Sequence, residues 1–204
     1  MDRFTVTMTI NPLDYTIKEL NKLKPKKGRV LIAEPFMNDF YFKRSVVLLT
    51  EHNKSGSFGF ILNKPLDITV NDALENFPKF DAPVYMGGPV QSDSLFYVHS
   101  QGNLIEDSMP IKNNLYWSGD FEQLKQLISD QQIFPHEIKF FIGYSGWDGE
   151  QLAQEIEDES WIISDINIKN ITQFNNENLW KDVLQKMGPK YSLLSNFPED
   201  PSLN

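Results

Sequence analysis

Residues 45–63 read SVVLLTEHNKSGSFGFILN, and this stretch decides the fold. Its first part, 45–52, is a largely apolar, β-branched run, which is typical of a strand covered on both faces. NKSGS at 53–57 is rich in turn-forming residues, and FGFILN at 58–63 is a second strand-like run. The pattern therefore predicts an antiparallel hairpin over 45–63.

Four further segments have the character of strands. RVLIAEP at 29–35 is an apolar run that a proline ends. PVYMGGPV at 83–90 predicts a short strand entering a glycine turn, and LFYVHS at 95–100 predicts another strand. IKFFIGYSGW at 138–147 predicts a buried strand that ends in a glycine-flanked turn.

Other segments, before, between and after these strands, have apolar residues at helical spacing. Some of these helical segments begin at a capping residue. Asp120 with Gln123 has the spacing of a capping box, and Asp148 with Gln151 repeats it. The polar, proline-rich tail at 196–204 predicts an extended or frayed end. The predicted helices are 14–24, 69–77 with Thr69 as its cap, 121–130, 150–160, and 177–187, which Gly188 and Pro189 end.

The composition is that of one folded domain. Of 204 residues, 40% are hydrophobic and 13% aromatic, which is enough apolar surface for a core. The predicted helices and strands follow one another without an internal repeat and without a linker long enough to separate two domains. We therefore expect a mixed α+β domain at 28–204, preceded by an extension at 1–27 that carries a short amphipathic helix.

Several kinds of site and location are excluded or disfavoured by what the sequence lacks. The absence of cysteine excludes disulfides, thiolate metal sites and cysteine nucleophiles. The first residues have no apolar run of the length that a signal peptide needs. No stretch approaches the ~18 apolar residues of a membrane span. These features predict a cytoplasmic protein without membrane association.

The charge is divided unevenly along the chain, whose net value is −9. Residues 1–30 hold seven Lys or Arg against three acids, a balance of +4, and the remainder holds 12 against 25, a balance of −13. An acidic body repels the phosphates of nucleic acids. We therefore expect no direct nucleic-acid binding, with the basic segment 18–29 as the alternative.

Ser145 lies in Gly143-Tyr144-Ser145-Gly146-Trp147, between a predicted strand and a predicted helix, where a hydrolase places its nucleophile. That motif needs a glycine where this chain has Trp147, and a triad needs a histidine and an acid. A tight turn with Trp147 packed in the core is the favoured interpretation. We expect no catalytic residue here.

Gly87 and Gly88 in GGPV are the second candidate, because paired glycines allow a close approach of backbone or ligand. A phosphate cradle would need more glycines opening a helix, with a lysine or hydroxyl at a fixed spacing. A strand follows instead. A structural turn is therefore favoured over a phosphate site.

The sequence gives only weak indications of a metal site or of an aromatic surface that stacks on bases. The chain has no motif with metal-ligand spacing, and Glu51-His52 at the end of a strand favours a hydrogen-bonded histidine over a metal ligand. We expect no metal and no cofactor. Phe36, Phe40, Tyr41 and Phe42 precede Lys43 and Arg44, a mixture that can stack bases, but a packed loop covering the sheet edge is favoured.

In order along the chain, these motifs resemble the YqgE/AlgH family of bacterial proteins, from about residue 28 to the C-terminus. The turn before the predicted helix at 150–160 departs from the family pattern. The family has glycine at the position of Glu150, whereas this chain has its glycine one residue earlier, at Gly149. The segments that carry the resemblance are GRVLIAEPFMNDFYFKRSVVLLTEHNKSGSFGFILNKP at 28–65, GGPV at 87–90 with the following LFYVHS, and GYSGW with QLAQEI and SW at 143–161.

The resemblance implies a bent, largely antiparallel β-sheet approaching a pseudo-barrel, with helices packed outside. It implies no settled activity, since members are described as uncharacterised or as candidate transcriptional regulators. It brings no catalytic residue, cofactor or metal. The domain at 28–204 is accordingly expected to be a single domain of this kind.

Two hypotheses about function follow. The leading one is a cytoplasmic, non-enzymatic regulatory or interaction protein whose effect on transcription is indirect, with a protein or a small molecule as its partner. The alternative is a small-ligand binder or enzyme that uses a pocket where strand ends converge. The candidate residues for that pocket are Glu51, His52, Gly87, Gly88, Tyr144 and Ser145.

Overall fold

The computed structural model describes residues 16–166 and 177–199, and these contain ten strands and six α-helices. The strands are β1 Val30–Ala33, β2 Val46–Asn53, β3 Gly56–Ile61, β4 Pro65–Thr69, β5 Pro83–Met86, β6 Val90–His99, β7 Met109–Lys112, β8 Leu115–Trp117, β9 Ile138–Asp148 and β10 Trp161–Ser164. The helices are α1 Ile17–Leu20, α2 Val70–Ala73, α3 Phe121–Ser129, α4 Gln151–Glu157, α5 Leu179–Lys186 and α6 Pro189–Leu194.

The strands form one bent, largely antiparallel sheet with the order β10-β1-β2-β3-β9-β6-β8-β7. β5 branches from this order, pairing in parallel with β9 and antiparallel with β4. The two end strands, β10 and β7, do not pair with each other, so the sheet is not closed into a barrel. The predicted α+β class and largely antiparallel sheet are confirmed.

The hairpin predicted at 45–63 is confirmed as β2 and β3, which pair antiparallel. Both of its faces are covered, because residues 46–49 alternate between two apolar clusters and all are fully buried. One face packs against Trp180 and Leu184 of α5 and Leu194 of α6, and the other packs against Leu152 of α4. Burial of each such side chain stabilises the fold by about 1.5–3 kcal/mol.

A third apolar cluster lies on the other half of the sheet. Leu124 and Ile128 of α3 pack there against the strand residues Val84, Tyr97 and Phe140. Asp120 caps α3 as predicted, since its carboxylate accepts the N–H of Gln123 at 2.9 Å. The side chain of Gln123 does not complete a capping box, because its oxygen accepts the N–H of Glu106 instead.

The central strand β9 corrects the sequence prediction at GYSGW. This segment is strand through Asp148, so no turn occurs there; Ser145 pairs with Gly59 and Gly146 with Phe58 of β3. β9 pairs with β5 and β6 along its first half and with β3 along its second half. The strand therefore joins the two halves of the bent sheet.

Other boundaries also differ from the predictions. The helices predicted at 14–24 and 69–77 are each a single turn, α1 and α2, and residues 14–15 lie outside the described residues. The end predicted for α5 is correct, but Gly188 and Pro189 also begin α6, which the sequence did not indicate. Residues 200–204 of the predicted tail are outside the described residues.

The segment before β1 contacts the sheet edge. The Asn21 amide donates to the Trp161 carbonyl at 2.7 Å and accepts the Ile163 N–H at 2.8 Å, so it occupies the free edge of β10 as a strand residue would. Leu20 is buried in the core, and its carbonyl accepts the Tyr191 hydroxyl. In the part of the chain described, no helix is long and apolar enough to cross a membrane.

Candidate functional site

An open groove of about 520 Å³ lies where the β2–β3 hairpin meets the second half of β9. We call it the hairpin groove. Its depth results from the pairing of β3 with β9, which brings the hairpin end beside the start of α4. The residues that line it are Glu51, Asn53, Ser55, Gly56, Ser57, Phe58, Val90, Tyr144, Gly146, Trp147, Asp148 and Gln151.

Glu51 and Asp148 are the charged side chains that line the hairpin groove, and both are acidic. A register shift between Leu49 and Glu51 sets Glu51 opposite Phe58 of β3. Glu51 accepts from Lys27 at 3.2 Å, and both side chains keep about a third of their surface exposed. An ion pair of this exposure contributes about 0–1 kcal/mol, so a ligand cation can displace the lysine at little cost.

The apolar wall of the hairpin groove consists of aromatic rings. The rings of Tyr144 and Phe58 lie 4.4 Å apart, and both are half-buried. Behind them, Phe58 contacts Trp117 at 4.8 Å and Tyr144 contacts Phe96 at 5.6 Å. Aromatic faces next to carboxylates suit a cation that carries apolar groups, because the ring quadrupole also attracts positive charge.

His52 reaches the groove through a neighbour. Its Nδ1 lies 2.8 Å from the hydroxyl of Ser57, one of the groove residues, and the two residues face each other across the hairpin. The histidine predicted to be hydrogen-bonded is therefore hydrogen-bonded, to a serine on the adjacent strand.

Gly87, Gly88 and Ser145 lie together in a buried backbone crossing beside the groove, where the segment after β5 passes over β9. The Ser145 side chain is fully buried, and its hydroxyl donates to the Gly87 carbonyl at 2.9 Å. A Cβ atom on Gly87 would lie 2.1 Å from the Gly143 carbonyl oxygen, and one on Gly88 would lie 2.3 Å from the Tyr144 carbonyl carbon. These glycines permit a close approach of two chain segments.

The structure thus divides the six residues that the sequence singled out. Glu51 and Tyr144 line the groove and His52 contacts a residue that does; the other three form the crossing. Asp148 and Gln151 also line the groove, although their spacing had predicted a capping box. The helix starts after Glu150 instead, and the Gln151 side chain accepts the Asp148 N–H at 3.2 Å.

His99 does not line the groove, and backbone groups around it hold its imidazole ring in place. Its Nε2 lies 2.9 Å from the Ser118 carbonyl, and its Nδ1 accepts the Gln101 N–H at 3.2 Å. Burial lowers the pKa of His99, so its neutral form is favoured. Since Nε2 carries the proton in this arrangement, it cannot act as a base toward Ser108, whose hydroxyl lies 3.3 Å away.

No group of three or more His, Asp or Glu side chains able to hold a metal ion occurs within residues 16–166 and 177–199. The hairpin groove contributes two carboxylates, those of Glu51 and Asp148. The fold and this site together define an α+β domain with an open, acidic, aromatic-walled groove.

Comparison with known proteins gives the family. The family model described as AlgH-like (DUF179) matches residues 30–192. A UPF0301 protein of Cytophaga hutchinsonii is 49% identical over 179 residues, which is 87% of this chain and 98% of that protein. A UPF0301 protein of Parabacteroides distasonis is 45% identical over 186 residues, covering 90% and 94%. The chain belongs to the AlgH-like family, as its motifs predicted.

Two solved structures share the fold. Protein DIP2367 from Corynebacterium diphtheriae superimposes with a TM-score of 0.69 at 25% identity, covering 87% of this chain and 95% of that one. The AlgH protein from Pseudomonas aeruginosa superimposes with a TM-score of 0.66 at 26% identity, covering 87% and 98%.

Proposed function

We propose that this protein is a non-enzymatic interaction protein whose hairpin groove binds a cationic side chain, lysine or arginine, of a protein partner. Any effect on transcription is then indirect and passes through that partner. The observation that carries the proposal is that two acidic residues, Glu51 and Asp148, and two aromatic residues, Phe58 and Tyr144, line one open groove.

The energetics favour a basic group at this position. At this exposure an ion pair with each carboxylate contributes about 0–1 kcal/mol, and a cation over an aromatic ring adds about 0.5–1 kcal/mol. The negative balance of the chain after residue 30 also attracts basic partners over a longer range.

Selection of peptides tests this proposal. A library of random twelve-residue peptides displayed on phage is selected on the native protein, and the enriched peptides are titrated by fluorescence anisotropy. We expect enrichment of lysine and arginine, and a loss of affinity of roughly ten-fold or more for the double variant Glu51→Gln, Asp148→Asn.

A matched control removes the same charge elsewhere. Glu122 and Asp130 lie at the two ends of α3, outside the groove, so Glu122→Gln, Asp130→Asn should retain full affinity. Peptides without basic residues, or equal losses in both double variants, would refute the assignment to the groove.

An enzymatic function is the second candidate, and one contact favours it. Ser57 and His52 have the hydroxyl-to-imidazole spacing, 2.8 Å, of a nucleophile and its base. A fluorophosphonate probe forms a covalent adduct with an activated serine. Labelling of Ser57 that disappears in His52→Gln would support the enzyme and contradict the interaction protein.

A further inference from the structure

A second cavity, of about 460 Å³, lies beside the loop that joins β1 to β2 and shares no residue with the hairpin groove. Its size falls within the range of small-molecule sites, roughly 300–1,000 Å³. We call it the loop cavity. It is lined by Asn38, Asp39, Phe40, Lys43, Arg44, Lys64 and Glu199.

Three cations line this cavity in an otherwise acidic protein. The Lys64 ammonium donates to the Phe40 carbonyl at 3.1 Å. The Arg44 guanidinium lies 4.1 Å over the Trp180 ring and donates to the Phe197 carbonyl at 2.6 Å, and its Nε is buried without a hydrogen-bond partner among the described residues. These contacts hold two positive groups at fixed positions.

The third cation, Lys43, repels the charge of Lys64. Burial lowers the pKa of Lys64, and the charge of Lys43 lowers it further, whereas Asp39 and Glu199 act in the opposite direction. An added anion would relieve this repulsion and replace part of the lost hydration.

The carboxylates beside these cations have different roles. The Asp39 side chain accepts the N–H groups of Tyr41 and Phe42 at 2.8 and 2.9 Å, so it shapes the loop. Glu199 is two-thirds exposed and pairs with Lys43 at 3.2 Å. Glu199 is therefore the exchangeable anion of the cavity, in the position that an external anion would take.

Phe40 supplies an aromatic surface at the rim. Its side chain is 81% exposed, whereas its neighbours Tyr41 and Phe42 pack into the core. The packed loop expected from the sequence therefore holds for Tyr41 and Phe42 but not for Phe40, and Phe36, whose ring contacts Phe197, is also exposed. A large exposed ring next to three cations suits a ligand with a planar ring and a negative charge.

We propose that the loop cavity binds a small molecule that combines a phosphate group with a planar ring, which is the chemistry of a mononucleotide. Lys43, Lys64 and Arg44 bind the phosphate, and the Phe40 ring stacks on the base. The acidic body of the chain disfavours duplex nucleic acid as the ligand. This site is independent of the interaction function proposed for the hairpin groove.

Isothermal titration calorimetry at fixed low salt tests the site with three probes: adenosine monophosphate, inorganic phosphate and adenosine. We expect the nucleotide to bind more tightly than either of the others. The double variant Lys43→Met, Lys64→Met should weaken nucleotide binding roughly ten-fold or more. Lys125→Met, which removes a lysine paired with Glu122 on α3, should leave it unchanged.

Two single variants separate the two parts of the ligand. Phe40→Ala should weaken binding of the nucleotide several-fold and leave inorganic phosphate unaffected, because only the ring contact is lost. Glu199→Gln should strengthen binding of both several-fold, because the internal competitor is neutralised. Glu199 is exposed, so this variant keeps the fold and keeps the test decisive even where the double lysine variant is unstable.

Three results would overturn the proposal. They are no heat of binding for the nucleotide at millimolar concentration, equal affinity in Lys125→Met and in the double lysine variant, and weaker binding in Glu199→Gln. A change of affinity in the Glu51→Gln, Asp148→Asn variant would place the nucleotide in the hairpin groove instead.

Discussion

Replacement of Gly87 by alanine tests the backbone crossing that joins the two halves of the sheet. The Gly87 N–H donates to the Ile142 carbonyl at 2.8 Å, and its carbonyl accepts from the Ile61 N–H at 3.0 Å and from the Ser145 hydroxyl at 2.9 Å. The added methyl group would lie 2.1 Å from the Gly143 carbonyl oxygen. That oxygen is a main-chain atom, so the strands must separate to admit the methyl group.

The expected loss of free energy of unfolding in Gly87→Ala follows from these contacts. Overpacking of a rigid site costs about 1–3 kcal/mol. Separation of the strands also weakens up to three hydrogen bonds, each contributing about 1 kcal/mol. We therefore expect Gly87→Ala to lower the free energy of unfolding by about 3–5 kcal/mol, a large part of the total stability of a typical domain.

Gly188 provides a matched control, and Gly88 provides a second crowded position for comparison. Gly188 has φ +115°, and a methyl group added there would meet nothing within 4 Å, so Gly188→Ala should cost only the backbone strain of about 1–2 kcal/mol. Gly88 combines φ +153° with a contact of 2.3 Å, so Gly88→Ala should cost at least as much as Gly87→Ala. Urea unfolding, followed by circular dichroism, measures all three. An equal or smaller cost for Gly87→Ala than for Gly188→Ala would refute the reasoning.

Three further predictions concern reactivity, charge and pH. Ser145 should form no adduct with a fluorophosphonate probe in intact-mass analysis, because its hydroxyl is buried and donates to Gly87; an adduct absent from Ser145→Ala would contradict this. Labelled promoter DNA at ~150 mM salt should bind no better than it binds a generic acidic protein, and sub-micromolar, sequence-dependent anisotropy changes would contradict this. Burial lowers the pKa of Lys139 from 10.5 to about 6, so the unfolded chain binds the additional proton between these values and stability rises with pH. Between pH 7 and 9 this rise should be about 2–3 kcal/mol larger in the native protein than in Lys139→Met by urea unfolding, and parallel pH profiles would contradict the assignment.

The sequence predicted the parts of the fold that local pattern determines. The β2–β3 hairpin was predicted because its apolar run has no polar face, and the structure buries both faces. The start of α3 was predicted because a carboxylate at Asp120 satisfies a helix N–H whatever the remote contacts are.

The parts of the fold that the sequence did not predict depend on contacts between segments that are remote in the chain. GYSGW reads locally as a turn, but pairing with β3, about 90 residues earlier in the chain, holds it as strand. WIIS at 161–164 is too short to indicate a strand by itself, and its pairing with β1 makes it β10. Gly188-Pro189 signals a helix end, and the same proline begins the next helix.

The candidate site was predicted only in part, because it too depends on contacts between remote segments. Glu51 and Tyr144 were singled out at strand ends, and the groove contains both. Asp148 was assigned to a helix cap because its spacing to Gln151 fits one. Its position in the groove follows from the pairing of Gly56 with Asp148, which no local pattern in the sequence encodes.

The central claim is that the hairpin groove recognises a positive charge, and a pair of matched probes tests it most directly. The ¹⁵N-labelled protein is titrated with N-acetylargininamide and, separately, with its neutral isostere N-acetylcitrullinamide, and amide chemical shifts are recorded. We expect the arginine probe alone to shift the amide resonances of Ser57, Tyr144 and Gln151, and the shifts to vanish in Glu51→Gln, Asp148→Asn. Equal shifts from both probes, or arginine-induced shifts confined to residues outside the groove, would contradict it.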